Sequence, residues 1–292
     1  MIKINENRNI FGDDIAFIEQ YDFSTANLSE ENRIKAITTV ASICYQNPKA
    51  VGSESLYNRL LAESKGLPSS SFEFVPVLIP NDKFKYKEDI KIIPNTVHFG
   101  ELIFLNKKDY LLTNYRAIVY DVENNIIDEE MLKFFNTEEE CEIIKQHFKV
   151  FLYKVDLPTR SQMVRHRVSW QELSRRYVSG ERVPFEFYVS EKMKDIRSKN
   201  SFINLKDEIN LDLSTDNIIN LCLKHYSTAL SKGVKPQEAR RIIPQAAYTQ
   251  IWGAFMPKQL DNYFKLRLDE SAQWEIRQTA IAMKELIDEK WM

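Results

Sequence analysis

The distribution of arginine is the feature of this sequence that most directly suggests chemistry. The chain has 15 arginines in 292 residues, and six of them fall in a window without lysine. These six are Arg160, Arg165, Arg167, Arg175, Arg176 and Arg182. A guanidinium group binds phosphate through a planar fork of donors, which an ammonium group cannot do. The window therefore predicts an anion site for phosphates, although a solvated charged face would give a similar pattern.

A histidine lies inside this window, between two of its arginines. The neighbouring positive charges of Arg165 and Arg167 disfavour protonation of His166. A neutral imidazole could exchange one hydrogen bond with a ligand ring or phosphate, but an exposed surface histidine explains the spacing equally well. A second pair, Cys222 and His225, is three residues apart on a predicted helix, where a core cysteine is the better interpretation.

Two further arginines stand beside apolar residues. Arg240 lies in EARRII, and Arg267 lies between two leucines just before a predicted helix. Such an arginine tends to be partly buried, and a buried cation needs a partner. For Arg267 that partner could be Asp269, Glu275 or a bound anion.

The composition excludes several classes of protein. A net charge of −2 argues against nucleic-acid binding through bulk charge. The seven glycines are isolated and form neither GxGxxG nor GxxxxGK[ST], so neither a Rossmann fold nor a P-loop is expected. No apolar run is long enough to span a membrane, and the first residues lack the pattern of a secretory signal. Three cysteines without CxxC predict a cytoplasmic, reduced protein with no metal site.

The order of predicted elements indicates an α+β fold. Strands are expected mainly before residue 158 and helices after it, giving a central, mainly antiparallel sheet with flanking helices and a helix-rich carboxyl-terminal half. Ser29 is expected to cap a helix over 30–45, and another helix is expected over 271–290. The segments 71–80 and 148–157 read as strands, the second of them central.

One stretch differs in character from the rest of this single predicted domain, residues 1–292. Residues 81–147 are rich in Lys, Asp, Glu and Asn, with short strand-like runs such as AIVYDV and a helix near 137–147. We interpret 81–147 as an inserted, peripheral subdomain that contributes little to the site. Its flanking strands, 71–80 and 148–157, are then expected to pair with each other.

Several ordered motifs resemble the flavin-dependent thymidylate synthases. RHRVSWQELSRRY (165–177) is similar to the signature of that family, in which seven residues separate Arg-His-Arg from a serine. FEFYV, EARRIIPQ and LRLDESAQWEI resemble the segments that come after it in the family, and VASICYQNP and SSSFEFVPV resemble the amino-terminal ones. The resemblance covers about residues 28–80 and 148–292.

The resemblance implies a reaction and a set of partners. Members of this family methylate dUMP to dTMP with 5,10-methylenetetrahydrofolate as carbon donor, FAD as cofactor and NADPH as reductant. They are homotetramers whose active sites are shared between subunits, and they use no cysteine nucleophile. The flavin carries the redox chemistry, while the protein supplies position and electrostatics.

Matching positions assign candidate roles to residues. Those implied for FAD are Arg165, His166, Arg167, Glu172 and Asn262. Those implied for dUMP are Gln162, Arg165, Glu172, Ser174, Arg175, Arg176, Arg240 and Arg267. Arg267 is also the implied catalytic residue, because a cation against the uracil favours the N3-ionised form and raises electron density at C5.

The sequence departs from the family pattern in four places. Only six residues separate Arg167 from Ser174, and on a continuous helix this deletion would rotate Ser174 by about 100°. We therefore predict that the chain leaves regular helix near 168–171. Phe74 and Ser271 replace histidines of the family. A second flavin-contacting asparagine of the family falls near the position of Met256 in this sequence.

Two other functions remain open from the sequence. A diverged relative could bind nucleotide, and even flavin, without making dTMP. A non-catalytic nucleic-acid-binding protein could use the arginines, and it would bind oligonucleotides with a steep dependence on salt.

Overall fold

The computed structural model describes residues 2–4, 8–62, 67–85, 87, 92–105, 107–200 and 211–288. The strands are β1 (Ile2–Lys3), β2 (Arg8–Asn9), β3 (Phe17–Asp22), β4 (Pro76–Pro80), β5 (Glu101–Leu105), β6 (Lys108–Asn114), β7 (Lys149–Asp156), β8 (Ser169–Glu172), β9 (Arg197–Asn200), β10 (Leu211–Ser214) and β11 (Tyr248–Phe255). The helices are α1 (Glu30–Tyr45), α2 (Glu54–Ala62), α3 (Asn95–His98), α4 (Tyr115–Glu123), α5 (Glu138–His147), α6 (Leu157–Met163), α7 (Glu191–Lys194), α8 (Thr215–Ser231), α9 (Pro236–Ala239), α10 (Pro257–Arg267) and α11 (Trp274–Asp288). The predicted α+β class is confirmed.

The largest sheet has the order β1-β3-β7-β11-β8, with β2 also paired to β3. All of its pairings are antiparallel. The expectation that 148–157 forms a central strand is confirmed, since β7 pairs with β3 on one side and β11 on the other. Two strands, β8 and β11, come after residue 158, so the sheet draws more on the second half of the chain than the sequence predicted.

Both faces of this sheet are covered. Along β7, Phe151, Tyr153 and Val155 belong to one apolar cluster, while Val150 and Leu152 belong to another. This alternation follows from the two-residue repeat of a strand. The first cluster includes residues of α10 and α11, and the second includes residues of α1. The sheet therefore separates two cores.

The described part of 81–147 is not peripheral in the way that the sequence predicted. Its strands β5 and β6 join β4 in a three-stranded antiparallel sheet of order β4-β6-β5. The strands β4 and β7 lie in different sheets, so their predicted pairing is wrong. The apolar side chains of Ile103, Leu112, Ile118 and Ile144 lie in the same core cluster as α1 and β7. This stretch looks polar because its buried residues are spaced among many charged ones.

Local predictions within these segments had mixed outcomes. AIVYDV was expected as a strand but lies in α4, because Asn114 accepts a hydrogen bond from Ala117 N and caps a helix there. The expected helix near 137–147 is α5, which begins with a capping box between Thr137 and Glu140. The predicted strand 71–80 starts as a 3₁₀ helix, Ser70–Phe74, before β4.

Three predicted helices agree well with the structure. Ser29 caps α1 by accepting from Asn32 N, as expected. The final helix, α11, buries Ile276, Ala280 and Met283 within the expected stretch. The helix predicted from Thr215 is α8, although Ser214 is its cap and Tyr226 is its one buried residue. Among the helices described, none has the length and hydropathy that a membrane crossing would require.

The arginine-rich window leaves the helix earlier than the short signature predicted. The helix α6 ends at Met163, and residues 169–172 form β8 at the edge of the large sheet. The expectation that 168–171 is not regular helix is confirmed, since the chain has already left α6 and forms a strand there. The strand pairs with β11, with Trp170 opposite Gly253 and Glu172 opposite Ile251.

Candidate functional site

The first part of the candidate site is a contact between Arg267 and His166. Arg267 is the last residue of α10, and its Nε donates to Nε2 of His166 over 2.7 Å. Its Nη2 donates to the carbonyl of Gln162, at 3.2 Å. The predicted carboxylate partners of Arg267, Asp269 and Glu275, are bonded to other groups. The contact thus joins Arg267 to two residues of the arginine-rich window, Gln162 and His166.

His166 is held in its neutral form. The residue is 6% exposed, and its ring lies 4.7 Å from that of Tyr263. Burial, and secondly the charge of Arg267, lower the pKa of His166 to about 4. Nε2 can accept this hydrogen bond only when it is unprotonated, which agrees with the lowered pKa. The alternative of an exposed surface histidine is therefore wrong, and the expected suppression of protonation comes from burial and then from Arg267 instead of from the flanking arginines.

A cavity of about 410 Å³ lies in front of this contact, lined by residues from two segments of the chain. The lining residues are Arg165, His166, Arg167, Val168, Lys258, Gln259, Asn262, Leu266 and Arg267. Four of the five residues implied for FAD are among them. Arg165 and Arg167 are exposed, and neither forms an ion pair with any described residue. The cavity therefore offers free cationic donors beside an amide.

A second group of predicted residues lies at the other end of the window. Glu172, at the end of β8, accepts hydrogen bonds from Arg160 and, at 3.1 Å, from Thr249. The backbone N–H of Ser174 donates to the carbonyl of Cys44, which anchors the segment to the end of α1. Glu172 and Ser174 are thus fixed by contacts within the chain before any ligand is bound.

The remaining predicted nucleotide residues lie beyond β8. The guanidinium of Arg175 donates to the carbonyl of Val183 at 2.5 Å and lies 4.1 Å from the ring of Phe185, and burial lowers its pKa. Arg176 donates to Gln237 on α9 at 3.2 Å, close to the exposed Arg240 at the end of that helix. Arg176 and Arg240 thus come from distant motifs to one region, whereas Arg175 is engaged in holding a loop.

The predicted site residues fall into two groups within the described chain. The first contains Arg165, His166, Arg167, Asn262 and Arg267, with Gln162 attached through its carbonyl. The second contains Glu172, Ser174, Arg175, Arg176 and Arg240. No hydrogen bond or ion pair between described side chains joins one group to the other.

The positions that depart from the family pattern have clear places in the structure. Phe74 is fully buried in the core, and Met256 is 5% exposed at the start of α10. Ser271 is exposed, and both its N–H and its hydroxyl donate to Asp269. The family's histidine position at 74 is therefore occupied here by a core residue.

One set of lining residues was missed by sequence reasoning. A second cavity, of about 540 Å³, shares Arg167, Val168 and Gln259 with the first and extends to residues of 95–120. Those additional residues are Asn95, Phe99, Asn114, Arg116, Ala117 and Tyr120. No motif marks them, because their proximity to Arg167 depends on the three-stranded sheet.

Neither metal nor thiol chemistry has support among the described residues. No cluster of three or more His, Cys, Asp or Glu side chains that could hold a metal ion occurs in that part of the chain. The thiol of Cys141 is buried next to acidic residues, and burial raises its pKa to about 11. Cys222 and His225 share no hydrogen bond in the described structure of α8. The interpretation of Cys222 as a core cysteine is wrong, because the residue is only partly buried there.

Comparison with known proteins places this arrangement in a family. The family model described as "Thymidylate synthase complementing protein" matches residues 124–291, which include the Arg-His-Arg segment and Arg267. This chain belongs to that family. The match begins inside 81–147, so only the earlier part of that segment precedes the region shared with thymidylate synthase complementing proteins.

Curated relatives of the chain carry a more specific name. Flavin-dependent thymidylate synthases of Thermosipho africanus and Aquifex aeolicus are 33% and 32% identical to it over 150 and 145 residues. Each alignment covers 48% of this chain, and they cover 64% and 45% of the relatives. The enzyme of Thermosipho melanesiensis is 33% identical over 171 residues, covering 54% of this chain and 71% of the relative. The chain thus spans less than two thirds of the length of the first two relatives.

Proposed function

We propose that this protein is a flavin-dependent thymidylate synthase, which methylates dUMP to dTMP with 5,10-methylenetetrahydrofolate as carbon donor and NADPH as reductant. The names of the relatives support the reaction class. The observation that carries the proposal is the position of Arg267, fixed by His166 and Gln162 beside a cavity with free arginines.

Arg267 is suited to activating a uracil ring. Nε and Nη2 are occupied, while Nη1 donates to no group among the described residues. A fixed guanidinium against the ring stabilises the N3-ionised form, which raises electron density at C5. Because the two internal hydrogen bonds orient the group in advance, little reorganisation is needed when the nucleotide binds.

The residues of the smaller cavity fit a flavin nucleotide. Arg165 and Arg167 offer forked donors for phosphate, and Asn262 offers an amide for a polar ring edge. When bound, FAD would pass reducing equivalents from NADPH to the transferred carbon. His166 stays neutral beside it and keeps Arg267 in position, while Arg165 and Arg167 neutralise the phosphate charge.

A site shared between subunits would bring the two groups to one nucleotide. Neither Arg176 nor Arg240 lines the cavity beside Arg267, although the resemblance implies that all three bind dUMP. In a homotetramer, the second group of one chain can face the first group of another. This arrangement supports the proposed homotetramer with shared active sites.

The test is a dTMP-forming assay with dUMP, methylenetetrahydrofolate, NADPH and FAD. We expect turnover, together with flavin absorbance of the purified protein. Omission of dUMP, methylenetetrahydrofolate or NADPH should abolish product formation, and so should removal of the bound flavin before the assay. Flavin absorbance without dTMP would instead support the diverged relative, for which the buried Phe74 and Met256 are the motivating observations.

A further inference from the structure

The larger cavity next to Arg167 has the properties of a ligand site, and its outer wall comes from residues 95–120. Its volume of about 540 Å³ lies within the range of small-molecule sites. The family match covers 124–291 only, so this wall precedes the matched region. The wall is therefore a feature of this chain that the family comparison does not assign.

The polar group that best indicates a ligand is Asn114. The residue is 6% exposed and lines the cavity. Its Oδ1 accepts from Ala117 N at 3.0 Å, whereas its Nδ2 has no hydrogen-bond partner among the described residues. Because Asn114 lines the cavity, this amide nitrogen can donate a hydrogen bond to a bound acceptor.

The charges and rings of the cavity define the ligand further. Arg116 is paired with Glu73 at 2.5 Å, while Arg167 has no ion-pair partner in the described structure. The lining charges of Arg116, Glu73 and Arg167 thus sum to one positive charge. Phe99, which is 54% exposed, and Tyr120 supply aromatic surface on the same wall. An exposed ring at a cavity edge can stack on a planar ligand.

From these observations we infer that residues 95–120 complete a binding site for a planar heteroaromatic ring carrying an anionic group, with Asn114 as donor, Phe99 and Tyr120 as ring contacts and Arg167 as counter-charge. The inference rests on the proposed function and deepens it, because both FAD and a folate have this chemistry. The segment 81–147 would then determine ligand affinity instead of being peripheral.

The experiment measures the binding of FAD and of folate to the full chain by titration calorimetry. Asn114→Asp keeps an oxygen to cap α4 but removes the donor and adds a negative charge. Phe99→Ala removes an exposed ring at little cost in packing. Phe104→Ala is the matched control, since Phe104 is 71% exposed in β5 and does not line the cavity.

We expect Asn114→Asp and Phe99→Ala each to weaken binding of one probe by at least about 5-fold, with no change for Phe104→Ala. Weakening for FAD identifies a flavin subsite, and weakening for folate identifies a folate subsite; either result supports the inference. Unchanged binding of both probes in folded variants would overturn it. If the unmodified protein makes dTMP and the variants bind both probes as it does, only the inference is refuted. If the variants bind a probe more weakly but the unmodified protein makes no dTMP, only the proposed function is refuted.

Discussion

At the scale of single residues, Arg267 connects the sequence pattern with the geometry of the site. The sequence predicted a partly buried arginine that needs a partner, and the structure supplies neutral acceptors in place of a carboxylate. A carboxylate partner would cancel the charge, whereas an imidazole nitrogen and a carbonyl orient the guanidinium and leave its charge available for a ligand. This difference makes Arg267 a stronger candidate for anion stabilisation than its sequence context alone did.

Replacing Arg267 should therefore remove activity without removing the fold. We expect Arg267→Ala to lower the rate of dTMP formation at least about 100-fold, in line with loss of one preorganised donor to a developing anion. Arg267→Lys should also fail, because an ammonium lacks the fork. Lys265→Ala removes an exposed cation from the same helix and is the control. Activity of Arg267→Ala close to that of the unmodified protein would contradict the assignment.

His166 should make stability depend on pH. Its pKa is about 4 in the folded chain against an ordinary value of 6.5, so between these values the unfolded chain binds more protons. The free energy of unfolding therefore reaches its full value above about pH 6.5. It falls by up to about 3 kcal/mol, before solvent screening, as the pH decreases towards 4. Urea unfolding of the protein and of His166→Gln at several pH values measures this. If the free energy of unfolding changed equally with pH in the two proteins, this would argue against a neutral His166.

At the scale of elements, the pairing of β8 with β11 positions the second half of the arginine window. Trp170 on β8 lies opposite Gly253 on β11, and a Cβ at 253 would come within 2.6 Å of the Trp170 ring. The missing side chain lets the indole pack across the strand onto Phe255, with ring centroids 5.6 Å apart. Gly253 thus matters through close approach rather than through an unusual backbone angle.

Gly253→Ala should displace this indole. We expect the free energy of unfolding to fall by about 1–3 kcal/mol, as for other overpacked core positions. Tryptophan fluorescence should change together with stability, and circular dichroism should confirm that the chain remains folded. A stability equal to that of the unmodified protein would show that β8 adjusts without cost.

The three-stranded sheet is the element whose pairing and packing the sequence did not predict. Ile118 of α4 is fully buried in the core shared with α1 and β7. We expect replacement of residues 82–146 by a short turn to abolish cooperative unfolding, since it uncovers the apolar faces of α1 and β4. Ile118→Ala should lower the free energy of unfolding, measured by denaturant titration, by about 2–5 kcal/mol. The control is Phe104→Ala, which changes an exposed residue. A stable, cooperatively folding deletion variant would restore the peripheral interpretation.

At the scale of the whole molecule, the proposed shared site predicts complementation between inactive chains. Arg267→Ala disables the first group, and Arg176→Ala disables the second. When the two variants are refolded together, random assembly should give about one quarter of the sites both intact groups. We expect dTMP synthesis to recover to about that fraction, although each variant alone is inactive. Absence of recovery in verified mixed oligomers would show that the groups do not act across subunits.

The sequence by itself determined the features that depend on local patterns. The cap at Ser29, the helix near 137–147 and the buried central strand β7 follow from residue types at fixed spacing. The break in the arginine window was predictable from one missing residue, because a helix that loses a residue rotates all of its later side chains. The order of Arg-His-Arg, EARRII and LRLDESAQWEI was sufficient to indicate the family.

Tertiary structure decided which distant residues meet. Nothing in the spacing of residues 101 positions apart predicts that Arg267 donates to His166. Likewise, β4 pairs with β6 instead of β7 because β7 is already flanked by β3 and β11, and each strand has only two edges. The wall of residues 95–120 next to Arg167 depends on that pairing. Local sequence patterns specify faces and ends of elements, whereas the choice of partner depends on competition among all faces and edges in the folded chain.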